Sequence, residues 1–372
     1  MSSLAIYRRY RPATFEELVG QDLIVKILKE AGKQEKLAHA YLFAGPRGTG
    51  KTTTARLIAK IANCEKRSTD SNFKKEGEPC NECPACKAID EGRSLDVTEI
   101  DAASNRGIDE IRNLKEMIRL APTSFKYRVF IIDEAHMLTR EAFNALLKTL
   151  EEPPDYAIFI LATTEADKIP VTVSSRTQQF YFKRVSLQEI VGKLSHIAKK
   201  EKIKISQEAL DLIASSAEGS FRDAESLLDQ LITFNGGEIK LDDVEKTIGK
   251  IGFDKLSLFA GYLLQNNVRE ALNYLSEIND GGYNIIQFTK DLIQYLRRAA
   301  VLKFNPQMEE KFSRELMQDH LKMLVDHAKI FEDYHMGLIK SLINAFSQMR
   351  YSQFPLIPLE VTLIENLKKF PT

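Results

Sequence analysis

The chain has 372 residues, enough for two or three domains, and its 44% hydrophobic content is that of an ordinary globular protein, which excludes a disordered or fibrous one. Lys+Arg and Asp+Glu balance at 52 each, so overall charge attracts neither nucleic acid nor an acidic surface, and any such contact must come from a local patch. Arg8, Arg9 and Arg11 are not followed by an apolar leader region and no apolar run approaches membrane-spanning length, so a cytoplasmic location without a membrane partner is expected.

In chain order, Tyr10–Gln21 precedes a helix-like segment from Asp22 to about Gly32. The stretch reads as a strap anchored on the core by Phe15 and Leu18, or as a cover for a nucleotide base with Arg11, Pro12 and Val19 as contacts. The two are compatible, because base pockets are largely apolar with a few polar groups. The apolar run Ala40–Ala44 then feeds Gly45-Pro46-Arg47-Gly48-Thr49-Gly50-Lys51-Thr52, and Thr53 to Ala62 repeat apolar positions at helical spacing. This is G-x-x-x-x-G-K-[ST] between a strand and a helix. Its glycines let backbone N–H groups surround a phosphate at the positive end of the helix. Lys51 is placed for the β- and γ-phosphates and the Thr52 hydroxyl for a Mg²⁺ ion on them, so Gly45 through Thr53 form the expected ATP-binding set.

All four cysteines follow: Cys64, then Cys80, Cys83 and Cys86. In a reducing compartment C-x2-C-x2-C plus one distant Cys supplies four thiolates for a structural zinc ion, with an iron–sulfur cluster as the chemical rival. Between them, Arg67 to Gly77 is rich in Lys, Ser, Asn and Asp and reads as an exposed loop. Asp96–Asp101 is a strand candidate, and Ala102 to Arg112 reads as a loop feeding a helix, whose polar start either meets a DNA phosphate or is simply solvated.

Tyr127–Ile132 is a buried-strand pattern ending in Asp133-Glu134. Asp133 would hold Mg²⁺, directly or through water, and Glu134 would polarise the water attacking the γ-phosphate; the plain alternative is two exposed acids at a strand end. His136 reads as structural or coupling and not as a metal ligand. Phe143–Glu152 is an amphipathic helix stopped by Pro153-Pro154. Ala157–Ala162 is a fourth strand ending in Thr163-Thr164, where a hydroxyl could sense the γ-phosphate or orient water, and Gln179–Phe182 is a fifth. Alternating strands and helices imply a doubly wound, five-stranded parallel sheet with its ligand at the carboxyl ends of the strands. Beyond Val185 the pattern is helical throughout: helices after Ser206, from Phe221 and from Leu241 make a small lid, and amphipathic segments from Phe253 onward, among them Met308–Tyr334 as one run, suggest a separate all-helical domain.

Taken together, these pieces resemble the AAA+ ATPases and, within them, the motor subunits of the bacterial DNA polymerase III clamp loader. The resemblance spans nearly the whole chain and rests on Tyr10-Arg11-Pro12 through Val19-Gly20-Gln21, Gly45 to Thr52, the four-cysteine insert, Glu99-Ile100-Asp101-Ala102-Ala103-Ser104, Asp133-Glu134-Ala135-His136-Met137-Leu138, Ala162-Thr163-Thr164 and Gly219-Ser220-Phe221-Arg222-Asp223-Ala224. It implies an α/β P-loop ATPase domain over 1–182 with a zinc module at about 64–86, a three-helix lid over 183–250 and an all-α collar over 251–372. It further implies that Lys51 and Thr52 contact phosphate and Mg²⁺, that Asp133 and Glu134 are the acidic pair, that Thr163 is a first sensor and Arg222 a second. Arg176 resembles the arginine finger that acts on ATP in the neighbouring subunit, with Thr177 where the family motif has Cys.

The cofactors implied are ATP, Mg²⁺ and structural Zn²⁺. The partners implied are the delta and delta-prime loader subunits, further copies of the chain, the beta sliding clamp and primer–template DNA, with Asn105, Arg106 and Lys148 as DNA-facing candidates by position. The implied cycle has ATP between subunits favouring a spiral that opens the clamp, and hydrolysis on DNA releasing it closed, at a nucleoid-associated replisome. Family members often continue into a tail that binds helicase and polymerase; with the chain ending at Thr372, those tail functions are expected to be absent. Three rivals fit less well. A DEAH-type helicase needs a second RecA-like domain, a non-hydrolysing scaffold subunit of the same loader has no need of the P-loop and both acids, and a zinc enzyme needs an open coordination position that four thiolates do not leave.

Overall fold

The computed structural model describes residues 4–104, 116–313 and 315–367. The chain divides into two compact units, Met1–Val185 with Gly219–Asp223, and Ser186–Glu218 with Ala224–Thr372.

The first unit is built on five parallel strands, β1 (Ala40–Ala44), β2 (Val97–Asp101), β3 (Arg128–Asp133), β4 (Ala157–Thr163) and β5 (Gln178–Tyr181), in the order β2-β3-β4-β1-β5. Strand alternation divides the apolar runs between two cores. Tyr41, Phe43, Val129, Ile131, Ile158 and Ile160 join Phe15 and Leu18 on one face, while Ala40, Leu42, Phe130, Ile132, Phe159 and Leu161 join Phe143, Leu146 and Leu150 on the other. Burial on both faces is why these strands read as continuous apolar runs. In register, Ala44 lies opposite Thr163 and Tyr181, and Asp101 opposite Asp133, so the polar strand ends gather on one edge.

Helices α1 (Asp22–Lys33) and α2 (Lys51–Asn63) flank β1, and the cysteine-bearing insert follows α2 directly. Its polar stretch is exposed over most of its length, as composition suggests, but it is not a plain loop. It forms short helices at Glu65–Thr69 and Ser71–Lys74, and Arg67 is 6% exposed because its guanidinium donates to the Gly32 carbonyl at the end of α1 at 2.7 Å. That carbonyl, at the helix end, also accepts from the Glu35 N–H at 3.1 Å, so Arg67 takes its second lone pair.

In the second unit, helices Leu187–Glu201, Gln207–Ser216, Phe221–Asn235 and Leu241–Ile248 precede seven more from Phe253 to Leu367 around one apolar cluster. Ser186 and Glu189 close the first with a capping box, each side chain bonded to the other's backbone N–H. Three features depart from the sequence reading. Residues 183–250, expected as three helices, hold four, because Leu187–Glu201 precedes those read from the sequence. Lys204–Ile205 pairs in parallel with Glu238–Ile239, strands too short to register as a period. The run Met308–Tyr334 is two helices, Met308–Ser313 and Gln318–Ile330, because Phe312 and Leu316 both turn into the core before Met317 takes an extended backbone. No helix among the described residues is long and apolar enough to cross a membrane.

Candidate active site

The loop after β1 turns on glycines at positive φ, Gly45, Gly48 and Gly50. At Gly48 the space matters as much as the angle, since a Cβ there would run into the Ser220 side chain. Phe221 N–H donates to the Gly48 carbonyl at 3.1 Å and Arg47 pairs with Asp223 at 3.0 Å, so residues 220–223 brace the loop. Leu18 lies 3.4 Å from where a Gly50 Cβ would stand, which puts the strap over the loop. Pro46, Thr52 and Thr53 are half-buried, Arg47 is exposed and Thr49 is buried.

Lys51 is 6% exposed, and its ammonium donates to the Gly45 and Pro46 carbonyls at 2.8 and 2.9 Å. Burial lowers its pKa, while Glu134 and Asp133 work in the opposite direction. Thr52 Oγ1 donates to Asp133 Oδ2 at 2.7 Å, across the gap between α2 and the tip of β3. Glu134 follows at φ 48°, and Thr164 Oγ1 donates to its Oε2 at 3.1 Å. Thr163 is fully buried, with its hydroxyl 3.0 Å from His136 Nδ1.

Arg11 and Pro12 are half-buried and Val19 is exposed. Arg11's pKa is lowered mainly by burial and further by Arg56, Arg222 and Arg8, a cluster of guanidiniums around one nearby acid, Glu99, which pairs with Arg56 at 2.6 Å. Such a cluster favours an anion. Arg222 also lies over the Tyr7 ring, 5.2 Å from its centroid. Glu78 fixes the strap, accepting from the N–H groups of Phe15 and Glu16 at 2.7 and 3.2 Å and pairing with Lys29 at 3.0 Å. Tyr7, Arg8, Arg56, Glu78, Ser220 and Asp223 are not among the site residues expected from the sequence. Only Ser220 and Asp223 had a signal, their place in the motif around Arg222.

Arg176 is not gathered into this group: its polar contacts go to Thr172 O at 2.7 Å, Ser175 Oγ at 3.3 Å and Glu151 Oε1 at 2.6 Å. Lys148 is exposed on the helix Arg140–Glu151, while Asn105 and Arg106 lie outside the described residues.

The four cysteine sulfurs lie within 4.8 Å of one another. Tetrahedral thiolates at about 2.3 Å from a zinc ion would stand roughly 3.8 Å apart, and Cys80 and Cys86 are 4.0 Å apart. Backbone N–H groups already point at the sulfurs, Cys80 N at Cys64, Glu82 N and Cys83 N at Cys80, and Cys86 N at Cys83, at 3.3–3.5 Å. The Cys86 thiol donating to Cys64 holds that group down at about 4, while Cys86 and Cys80 are pushed up, so one sulfur of the four is readily negative and the others need a cation to give up their protons. The donors fit a metal ion.

Family models cover the chain in three pieces: residues 20–186 match DNA polymerase III, delta subunit; 189–237 match the DNA polymerase III clamp loader subunit, ATPase lid domain; and 239–370 match DNA polymerase III subunits gamma and tau domain III. The DNA polymerase III subunit gamma of Buchnera aphidicola subsp. Schizaphis graminum is 36% identical over 368 residues, 99% of each chain. The chain belongs to the DNA polymerase III gamma/tau family. Within that family the subunit tau of Bacillus subtilis is 43% identical over 365 residues, 98% of this chain. The chain spans between 41% and 63% of the length of three tau or gamma/tau relatives. Among solved structures, the Thermotoga maritima RuvB Holliday junction branch migration motor aligns with a TM-score of 0.45 at 21% identity, over 64% of this chain and 72% of that one. Gamma/tau membership implies a nucleotide with Mg²⁺, and the donors fit: Thr52 and Asp133 present a hydroxyl and a carboxylate beside the loop, the oxygen ligands magnesium takes.

Proposed function

We propose that the chain is the ATP-driven motor subunit of a bacterial sliding-clamp loader, a part of DNA polymerase III holoenzyme without polymerase chemistry of its own. The observation that carries this is the meeting of Thr52 with Asp133 at 2.7 Å, with Glu134 beside them, at the carboxyl ends of a parallel sheet. In this reading Lys51 and the loop Gly45–Thr53 bind the phosphates of ATP, Thr52 and Asp133 hold Mg²⁺, and Glu134 receives a proton from the attacking water. Thr163 and Arg222 respond to the γ-phosphate, and Arg11, Pro12 and Val19 border the base. Arg176, tethered by Glu151, is offered to ATP bound by a neighbouring subunit.

Cys64, Cys80, Cys83 and Cys86 hold zinc in a closed set, which supplies folding energy and no open position for chemistry. Family membership supports assembly with other loader subunits and the clamp. The specific partners we assign are delta, delta-prime, further copies of the chain, the beta clamp and primer–template DNA met by Asn105, Arg106 and Lys148, at a nucleoid-associated site in the cytoplasm. The division at residues 182 and 250 into ATPase domain, lid and collar belongs to the same reading; the family models change at 186–189, near the first boundary, and at 237–239, ahead of the second.

The test is ATP turnover by the chain reconstituted with delta, delta-prime and clamp, with and without primer–template DNA. Arg176→Ala should abolish a DNA-dependent rise, by about three decades if this finger resembles others acting in trans, with ATP binding preserved. Turnover that is equal in the isolated chain and indifferent to Arg176 would leave a stand-alone ATPase instead.

A further inference from the structure

The ends of β3 and β4 are joined by a bridge of side chains that phosphate binding does not require. His136, 7% exposed in its side chain, touches both strand ends. Its Nδ1 lies 3.0 Å from Thr163 Oγ1 and 3.4 Å from Glu134 Oε2, and its Nε2 lies 3.2 Å from Glu165 Oε1. Glu165 is itself held, by Lys168 at 2.8 Å and by its own backbone N–H, which donates to Thr163 Oγ1 at 3.0 Å. Thr164 completes the bridge through its hydrogen bond to Glu134.

A carboxylate that takes a proton from water must face that water, and misplacement by about 1 Å costs on the order of a hundredfold in rate. Glu134 has three rotatable side-chain bonds and a side chain 31% exposed, so its own packing does not fix it. The imidazole is nearly dry; with Nδ1–H as the donor, that one nitrogen meets Thr163 Oγ1 at 3.0 Å and Glu134 Oε2 at 3.4 Å together, and Glu165 Oε1 lies against Nε2. One ring nitrogen that faces both the Thr163 hydroxyl and the Glu134 carboxylate ties the end of β4 to the base.

Resting on the ATPase reading above, we propose that His136, backed by Glu165, is a positioning residue that holds the carboxylate of Glu134 and the hydroxyl of Thr163 in one arrangement, so that sensing of the γ-phosphate and activation of water change together.

The experiment compares kcat in the reconstituted loader with the Kd of a fluorescent non-hydrolysable ATP analogue, and records melting temperature for each variant. His136→Ala should lower kcat about 10- to 100-fold while the Kd stays within about twofold of wild type, because no loop contact is touched. His136→Asn, which keeps a polar atom near the Nδ1 position, should recover most of the rate. His136→Gln, which places it nearer Nε2, should not, and Glu165→Gln should fall between. Unchanged kcat in His136→Ala overturns the proposal, and so does an equal loss in the Asn and Gln variants accompanied by weaker binding and lower melting, which would mark plain packing. Glu134→Gln is the control that separates the two readings: if it turns over ATP like wild type, the assignment of the site itself has failed; if it is inactive while His136→Ala is not, only this inference has.

Discussion

Gly48 shows how much of the loop's construction sits in a single residue. Its left-handed backbone would cost an alanine about 1–2 kcal/mol, and the added Cβ would also meet Ser220. Gly48→Ala should therefore weaken nucleotide binding at least about tenfold, measured by calorimetric titration. Adding Ser220→Gly should recover only part of that, since it removes the collision and leaves the backbone strain. The loop's own residues are legible in the sequence because the motif is contiguous, and the approach of Asp133 to Thr52 follows from reading two strand ends onto one sheet edge. Ser220 could not be seen as a wall of the loop, because its contact depends on how a segment some 170 residues later in the chain comes back. The guanidinium of Arg56 escaped for the opposite reason: on a helix surface an arginine is ordinary, and only Arg11 and Arg222 beside it make a cluster.

At the scale of elements, the strap before α1 owes its position to Glu78, a residue of the cysteine insert. Glu78→Ala removes acceptors from two backbone N–H groups and one of the two carboxylates that Lys29 meets, a loss of about 1–3 kcal/mol. We expect nucleotide affinity to fall with the Cys cluster's metal content intact, checked by metal release to a chromogenic chelator beside the binding titration. The strands were readable because burial on both faces erases alternation and leaves apolar runs. The insert was misread as a loop because its polar composition is that of one; what orders it is the burial of Arg67 against α1, a tertiary event that composition does not encode.

At the scale of whole units, the C-terminal half carries its own pH response. His327 and His335 both have pKa values lowered by burial from the ordinary 6.5. Tyr295, pushed up to about 12 by burial, keeps its proton and meets His327 Nδ1 at 2.7 Å. Below 6.5 the unfolded chain binds more protons at these two positions than the folded one, so the stability they contribute is present above that pH and is lost as pH falls through the folded values. Melting of this unit should drop on going from pH 7.5 to 5.5, and His327→Gln should blunt the drop.

In the other half, Lys60 sits on α2 with 1% exposure, and among the described residues its ammonium meets Asn81 and Asp90. Excision of residues 65–90 would strip those partners from the Lys60 ammonium, uncover the face of α2 that the helix Pro84–Asp90 packs against, take Glu78 from the strap and leave the Gly32 carbonyl without Arg67. The cysteine insert therefore cannot be trimmed away as a cassette, however separable it looks along the chain: a shortened version has to cover the bared face of α2 and resupply an anchor for the strap before its metal ligands are even considered.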